Sequence, residues 1–124
     1  MTKKQPASPS DADDLEGVAR DLRAVEAAVR AIGGKWKIMI VAKLNGGSLR
    51  FSEFRRHMPL ISQQSLTTQL RELERDGVVH RAVFAEIPPR VEYSLTDVGR
   101  QISPLMPSLM AWGYEILKLR EAAT

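Results

Sequence analysis

The side chains best suited to chemistry lie in one segment, ISQQSLTTQLRELERDG, from Ile61 to Gly77. Its first half carries Gln63, Gln64, Ser65, Thr67, Thr68 and Gln69, where a solvated helix face is ordinarily laid with Glu and Lys. Gln pairs bidentately with adenine, Thr offers a hydroxyl or packs its methyl on thymine, and Arg forks onto guanine or a phosphate. At about 100° per residue, Leu66, Leu70 and Leu73 form the edge to be buried, while Gln64, Thr67, Thr68, Arg71 and Arg75 fan across the opposite side. The chemistry this pattern predicts is hydrogen bonding to base edges, with Gln63, Gln64, Thr67, Thr68 and Arg71 as the reading residues.

A reading face needs a source of affinity, and the charge distribution offers one. Six basic residues against a single acid, Glu53, lie between Gly33 and Leu60, whereas the flanking parts each carry one more acid than base. A basic segment in an otherwise balanced chain suits a polyanion, either nucleic acid or an anionic membrane surface, and a solvated face is the plain alternative. On the nucleic-acid reading, the phosphate contacts are Lys35, Lys37, Arg50, Arg55, Arg56, Ser62, Ser65 and Arg75.

Other chemistries find less support. The chain has no cysteine, which removes disulfides, thiolate nucleophiles and sulfur-ligated metals. His57 and His80, the only histidines, fall in different elements and suggest neither a metal site nor a catalytic constellation. Gly33-Gly34-Lys35 and Gly46-Gly47-Ser48 do not match a phosphate-binding loop and read as helix stops. The longest apolar run, Ile38 to Ala42, is far short of the roughly 20 residues of a spanning helix. Residues 1–14 show no apolar stretch behind their lysines and are expected to be a disordered tail of a cytoplasmic protein, leaving 15–124 as one domain. No cofactor is expected.

The elements that must hold the reading segment follow from spacing. Leu15, Val18, Leu22, Val25, Val29 and Ile32 recur at three and four residues, a narrow helical seam ended by Gly33 and Gly34. A second helix, KWKIMIVAKLN, shows Trp36, Met39, Ile40 and Leu44 as apolar and leaves Lys35, Lys37 and Lys43 for solvent or phosphate. One short strand at 48–51 and a brief helix capped by Ser52 come next. The helix of the opening segment has Ser62 as N-cap, with Ile61 and Leu66 placed for a hydrophobic staple. Gly77, with Leu73 and Val78 around it, suits a Schellman stop.

VVHRAVFAE and RVEYSL then read as a β-hairpin with Pro88 and Pro89 at its tip. Arg90 there can reach a minor groove or pair with Glu86. Thr96 and Asp97 open a helical segment that Gly99, Pro104 and Pro107 weaken. A last helix, 108–120, is apolar around more of its circumference than one small chain covers, which predicts a homodimer through Leu109, Trp112, Ile116 and Leu119 together with Leu15, Val18 and Leu22. Trp36, Trp112, Tyr114 and nearby methionines are either a pocket for a possible small-molecule effector or plain core.

This order is a winged helix-turn-helix: mainly α with a small β-hairpin, helix 62–76 in the major groove and a wing at 84–92. A winged-helix module that binds RNA or protein is the alternative, though such an interface would favour aromatic or aliphatic anchors over Gln, Thr and Arg. The strings VEAAVRAIGGKWKIMIVAKL, RFSEFRRHMPLISQQSLTTQLRELERDGVVHR and EIPPRVEYSLTDVGR resemble the HxlR-type transcriptional regulators, a winged-helix group related to the MarR regulators. The resemblance covers Val25 to Trp112. It implies a homodimeric, DNA-binding transcription factor on an inverted repeat, dimerised by its terminal helices. Many members carry an oxidant-sensing cysteine just before the pair matching Val25-Glu26; here Arg23 and Ala24 stand in that place.

Overall fold

The computed structural model describes residues 12–123, of which 12–33 belong to one compact unit and 34–123 to another. The first unit is a single helix, α1 (Ala12–Ile32). It begins three residues before the Leu15 start expected of the seam, so residues 12–14 are helical rather than part of a tail, and residues 1–11 of that tail lie outside the described residues. A Cβ on Gly33 would come within 2.7 Å of the Val29 carbonyl oxygen, and Gly34 takes a φ of 95°, which together stop the helix there.

The second unit contains α2 (Lys37–Leu44), α3 (Phe51–His57), α4 (Gln63–Arg75), the antiparallel strands β1 (Val79–Phe84) and β2 (Arg90–Leu95), α5 (Asp97–Arg100), a 3-10 turn (Ser103–Leu105) and α6 (Met106–Ala123). This is the winged helix-turn-helix expected from the sequence. Its core is built on Ile40, Val41 and Leu44 of α2, Phe54 of α3, Leu66, Leu70 and Leu73 of α4, and Val79 and Leu95 at the base of the hairpin. Each of these fully buried side chains contributes about 1.5–3 kcal/mol relative to exposure. Leu49 exchanges both backbone hydrogen bonds with Tyr93, at 2.9 and 2.8 Å, so the short strand before α3 is one rung laid against β2. The Tyr93 ring meets Phe54 edge-on, centroids 6.1 Å apart.

Two termini differ from expectation. The cap of α3 is Arg50, not Ser52: its backbone N–H donates to the Glu53 carboxylate at 2.9 Å, and the helix starts at Phe51. The buried face of α2 is Lys37, Ile40, Val41 and Leu44, while Met39 stands exposed. Lys37, assigned from sequence to phosphate, is therefore turned inward. It is only 7% exposed, and its ammonium donates to the Glu72 carboxylate of α4 at 2.6 Å. The reason is helical phase: Lys37 lies three and four residues before Ile40 and Val41, on the stripe that must be covered.

The junction after the hairpin is held by Thr96. Its hydroxyl donates to the Gly77 carbonyl at 2.6 Å and accepts the Gly99 N–H at 3.0 Å, capping α5. Gly99 is buried so close to Val78 that a Cβ would sit 2.2 Å from the Val78 carbonyl oxygen. Among the described residues no helix is long and apolar enough to cross a membrane.

Two outcomes are expected from these contacts. Gly99→Ala forces β1 and α5 apart and should lower the unfolding free energy by about 1–3 kcal/mol. A urea melt indistinguishable from wild type would mean that the approach to Val78 is not tight. The hydrogen bond and charge of Lys37 hold the Glu72 carboxyl below its ordinary value of 4.5, Arg75 adds to this, and partial burial opposes it. A carboxyl depressed in the folded state stabilises fully above the unfolded value and loses that contribution as pH falls through the folded one. Below pH 4.5, Glu72→Gln should therefore show a shallower fall in stability than wild type; parallel acid limbs in urea melts at several pH values would contradict the pair.

Candidate nucleic-acid interface

α4 is made to start and stop where it does. The Ser62 hydroxyl accepts the Ser65 N–H at 3.0 Å, and Ile61 and Leu66, the staple positions, are both buried. At the other end Gly77 has a φ of 79°, the Val78 N–H donates to Leu73 at 2.9 Å and the Gly77 N–H to Glu74 at 3.1 Å, the paired bonds of a Schellman motif. With Leu66, Leu70 and Leu73 buried, Gln64, Thr68, Arg71 and Arg75 form one exposed stripe at spacings of four, three and four, and Gln63 is exposed beside it.

Not every predicted reader stands on that crest. Thr67 is half-buried, and its hydroxyl donates to the Gln63 carbonyl at 2.9 Å, which leaves its methyl as the outward group. It lines a cleft of about 350 Å³ between α4 and the hairpin, with Arg71, Glu74, Arg81 and Tyr93. Ser65 is likewise half-buried, while Ser62 is exposed at the start of the helix. Arg71 is exposed and forms no salt bridge among the described residues.

The cleft contains residues that sequence reasoning passed over. Arg81 of β1 reaches Glu74 at 3.4 Å. Burial pushes the Tyr93 phenol up from its ordinary value of 10.0, with Arg81 and Arg71 pulling against it and Glu74 adding to it, so it stays a neutral hydroxyl at physiological pH. The available signal was alternation: on β1 and β2, Arg81 and Tyr93 are directly paired and share one face.

Of the basic residues assigned to phosphate, Arg50 and Arg56 are exposed and Arg55 is half-buried, without salt bridges among the described residues. The Lys35 ammonium lies 4.8 Å from the centroid of the Trp36 ring. Arg75 is exposed but has Asp76 at 3.5 Å. Lys37 is withdrawn, as described.

At the wing, Pro88 and Pro89 are exposed and follow Ile87, which is fully exposed. Arg90 does not project from this tip. It folds back to Glu86 at 3.3 Å and Glu92 at 3.1 Å, and its guanidinium lies 4.1 Å from the Phe84 ring centroid. The pairing with Glu86 is thus the arrangement present, extended by a second carboxylate. Arg50 and Arg90 nonetheless flank one groove, with Phe51, Ser52 and the 86–91 tip, of about 530 Å³.

Among the described residues, the aromatic side chains near the C-terminus are not part of a buried core. Trp112 is 66% exposed, and Tyr114, Leu109, Leu117 and Leu119 are exposed with it, while Ile116 is half-buried. Leu15, Val18 and Leu22 of α1 are exposed as well.

Comparison with known proteins agrees with this geometry. The family model described as HxlR-like helix-turn-helix matches residues 31–121. The HTH-type transcriptional regulator YdeP of Bacillus subtilis is 50% identical over 101 residues, covering 82% of this chain and 75% of YdeP. A regulator of the same type from Methanothermobacter thermautotrophicus is also 50% identical, over 82% of this chain and 76% of its own. Among solved structures, the redox regulator HypR in its reduced form superposes with a TM-score of 0.70 at 46% identity, over 80% of this chain and 98% of that one. A MarR-family regulator from Enterococcus faecalis gives 0.69 at 40% identity, over 83% and 93%. These relatives are regulators rather than enzymes, and the chain belongs to the HxlR-like helix-turn-helix family of transcriptional regulators.

Proposed function

We propose that this regulator is a homodimer that reads an inverted-repeat DNA operator, with α4 in the major groove and the 84–92 wing against the flanking backbone and minor groove. The observation that carries the reading is the exposed stripe Gln64, Thr68 and Arg71, with Gln63 beside it: side chains able to make directed bonds to base edges, on a helix whose opposite edge is locked into the core. Arg71 is the strongest single candidate because no carboxylate in a salt bridge competes for its fork. Arg50, Arg55, Arg56 and Lys35 supply phosphate contacts, joined by Ser62 at the start of α4. On this reading the protein works in the cytoplasm.

Dimerisation is supported by apolar exposure. A monomer would leave Leu109, Trp112 and Leu119 of α6, and Leu15, Val18 and Leu22 of α1, in water. Two copies related by a two-fold axis would present two α4 helices to half-sites about 34–36 Å apart. The redox states recorded for HypR belong to that protein. With no cysteine in its 124 residues, this chain has no thiol to oxidise, and the signals left to it are a small-molecule effector, oxidation at its five methionines or its own concentration.

The first experiment is a fluorescence-anisotropy titration of the upstream intergenic DNA against a scrambled duplex at several salt concentrations. Strong, salt-dependent preference for the native fragment is expected; equal weak binding to both would favour the RNA- or protein-binding alternative. On the preferred site Arg71→Ala should cost about 1–3 kcal/mol, with a much smaller loss on scrambled DNA. Equal losses would remove Arg71 from base readout. For the dimer, Trp112→Glu should shift sedimentation from two chains to one and weaken operator binding, whereas an unchanged dimer would place the interface elsewhere.

A further inference from the structure

We propose that Lys37 and Glu72 are positioning residues for the reading face: their bond sets the roll of α4 against α2, and so governs sequence discrimination without touching DNA. The inference rests on the functional reading above. Lys37 is the only charged residue buried among the described residues, and it opens α2, whereas Glu72 adjoins Arg71 in the C-terminal half of α4. Taking an ammonium out of water is costly, and an apolar side chain on that stripe would pack more cheaply. A pair whose ammonium end is buried and whose Glu72 end is partly exposed is therefore poor evidence for stability and better evidence for a defined orientation.

The remaining contacts on this side of α4 are leucines, and apolar burial is non-directional. A roll of about 15°, the size of the scatter found in helix crossing angles, moves a side-chain tip about 6 Å from the axis by roughly 1.5 Å. A bidentate bond to a base tolerates only a few tenths of an ångström. The 2.6 Å charge-assisted bond between Lys37 and Glu72 supplies the directional restraint that the leucines lack. Arg75, the other cation near Glu72, is exposed and paired with Asp76, so it cannot replace Lys37.

The test uses the full chain with Lys37→Met and Glu72→Met combined, an apolar pair expected to keep the fold, and Glu72→Gln, which keeps an acceptor for the ammonium. Residual dipolar couplings of the α2 and α4 amides report the angle through which α4 is rolled about its own axis relative to α2, without DNA. Anisotropy reports the ratio of dissociation constants for scrambled and operator duplexes. In the double variant the angle should change and the ratio should fall roughly tenfold, the loss of about one bidentate contact, at an unchanged salt slope. Glu72→Gln should hold the ratio within about threefold of wild type.

An unchanged angle overturns the inference whatever the DNA shows. Equal weakening on both duplexes with a salt slope lower by about one also overturns it, since that is the signature of a lost phosphate contact. If the angle changes but the wild-type chain itself prefers no duplex, the functional reading fails while the orienting bond stands.

Discussion

Burial of Leu66, Leu70 and Leu73 is the constraint on which the rest of this regulator depends, because a helix can present one face only when the other is anchored. The three leucines belong to the same buried core as Ile40 and Leu44 of α2, Phe54 of α3 and the base of the hairpin. That packing determines which α4 residues reach solvent, and Gln64, Thr68 and Arg71 follow from it as geometry. The caps then fix where the stripe begins and ends. Ser62 ties the first turn, and Gly77 turns the chain directly into β1, so the hairpin must rise beside α4.

The electrostatics around α4 are more restrained than a count of basic residues suggests. Arg81 is held by Glu74, Arg75 lies beside Asp76, and Arg90 is held by Glu86 and Glu92. For such partly exposed pairs each bond is worth about 0–1 kcal/mol. Their stability contribution is small, yet any phosphate that recruits these arginines must first displace a carboxylate. Arg50, Arg56 and Arg71 are in no salt bridge among the described residues, so a phosphate meets them without that displacement.

What was legible in the sequence was local. The N-cap and the Schellman stop of α4 are encoded within a few residues and appear where their residue types predict, and the two staple positions, Ile61 and Leu66, are both buried. The winged arrangement followed from element order. Misreadings arose where a long side chain had a choice. Lys37 was assigned by its charge, although its spacing to Ile40, Val41 and Leu44 already placed it on the buried stripe; its partner Glu72 is 35 positions away, beyond the reach of any periodicity. Arg90 could be seen next to Glu86, but not that β2 would bring Glu92 to the same guanidinium and Phe84 beneath it. The choice of Arg50 over Ser52 as cap turned on Glu53, whose carboxylate satisfies the Arg50 N–H and begins the helix two residues early.

The likeness to HypR sharpens a distinction between scaffold and signal. Nearly half of the aligned residues are shared and 98% of HypR is covered, so the framework that orients α4 is common to both. A thiol switch, by contrast, needs only a sulfur atom at one position, and this chain has none at any. The caps, the leucine stripe and the hairpin register do not depend on such an atom, because none of them involves position 23 or 24. Glu74 and Arg81 line the same cleft as Arg71, so the charge beside α4 is set by contacts between that helix and the hairpin and owes nothing to positions 23 and 24.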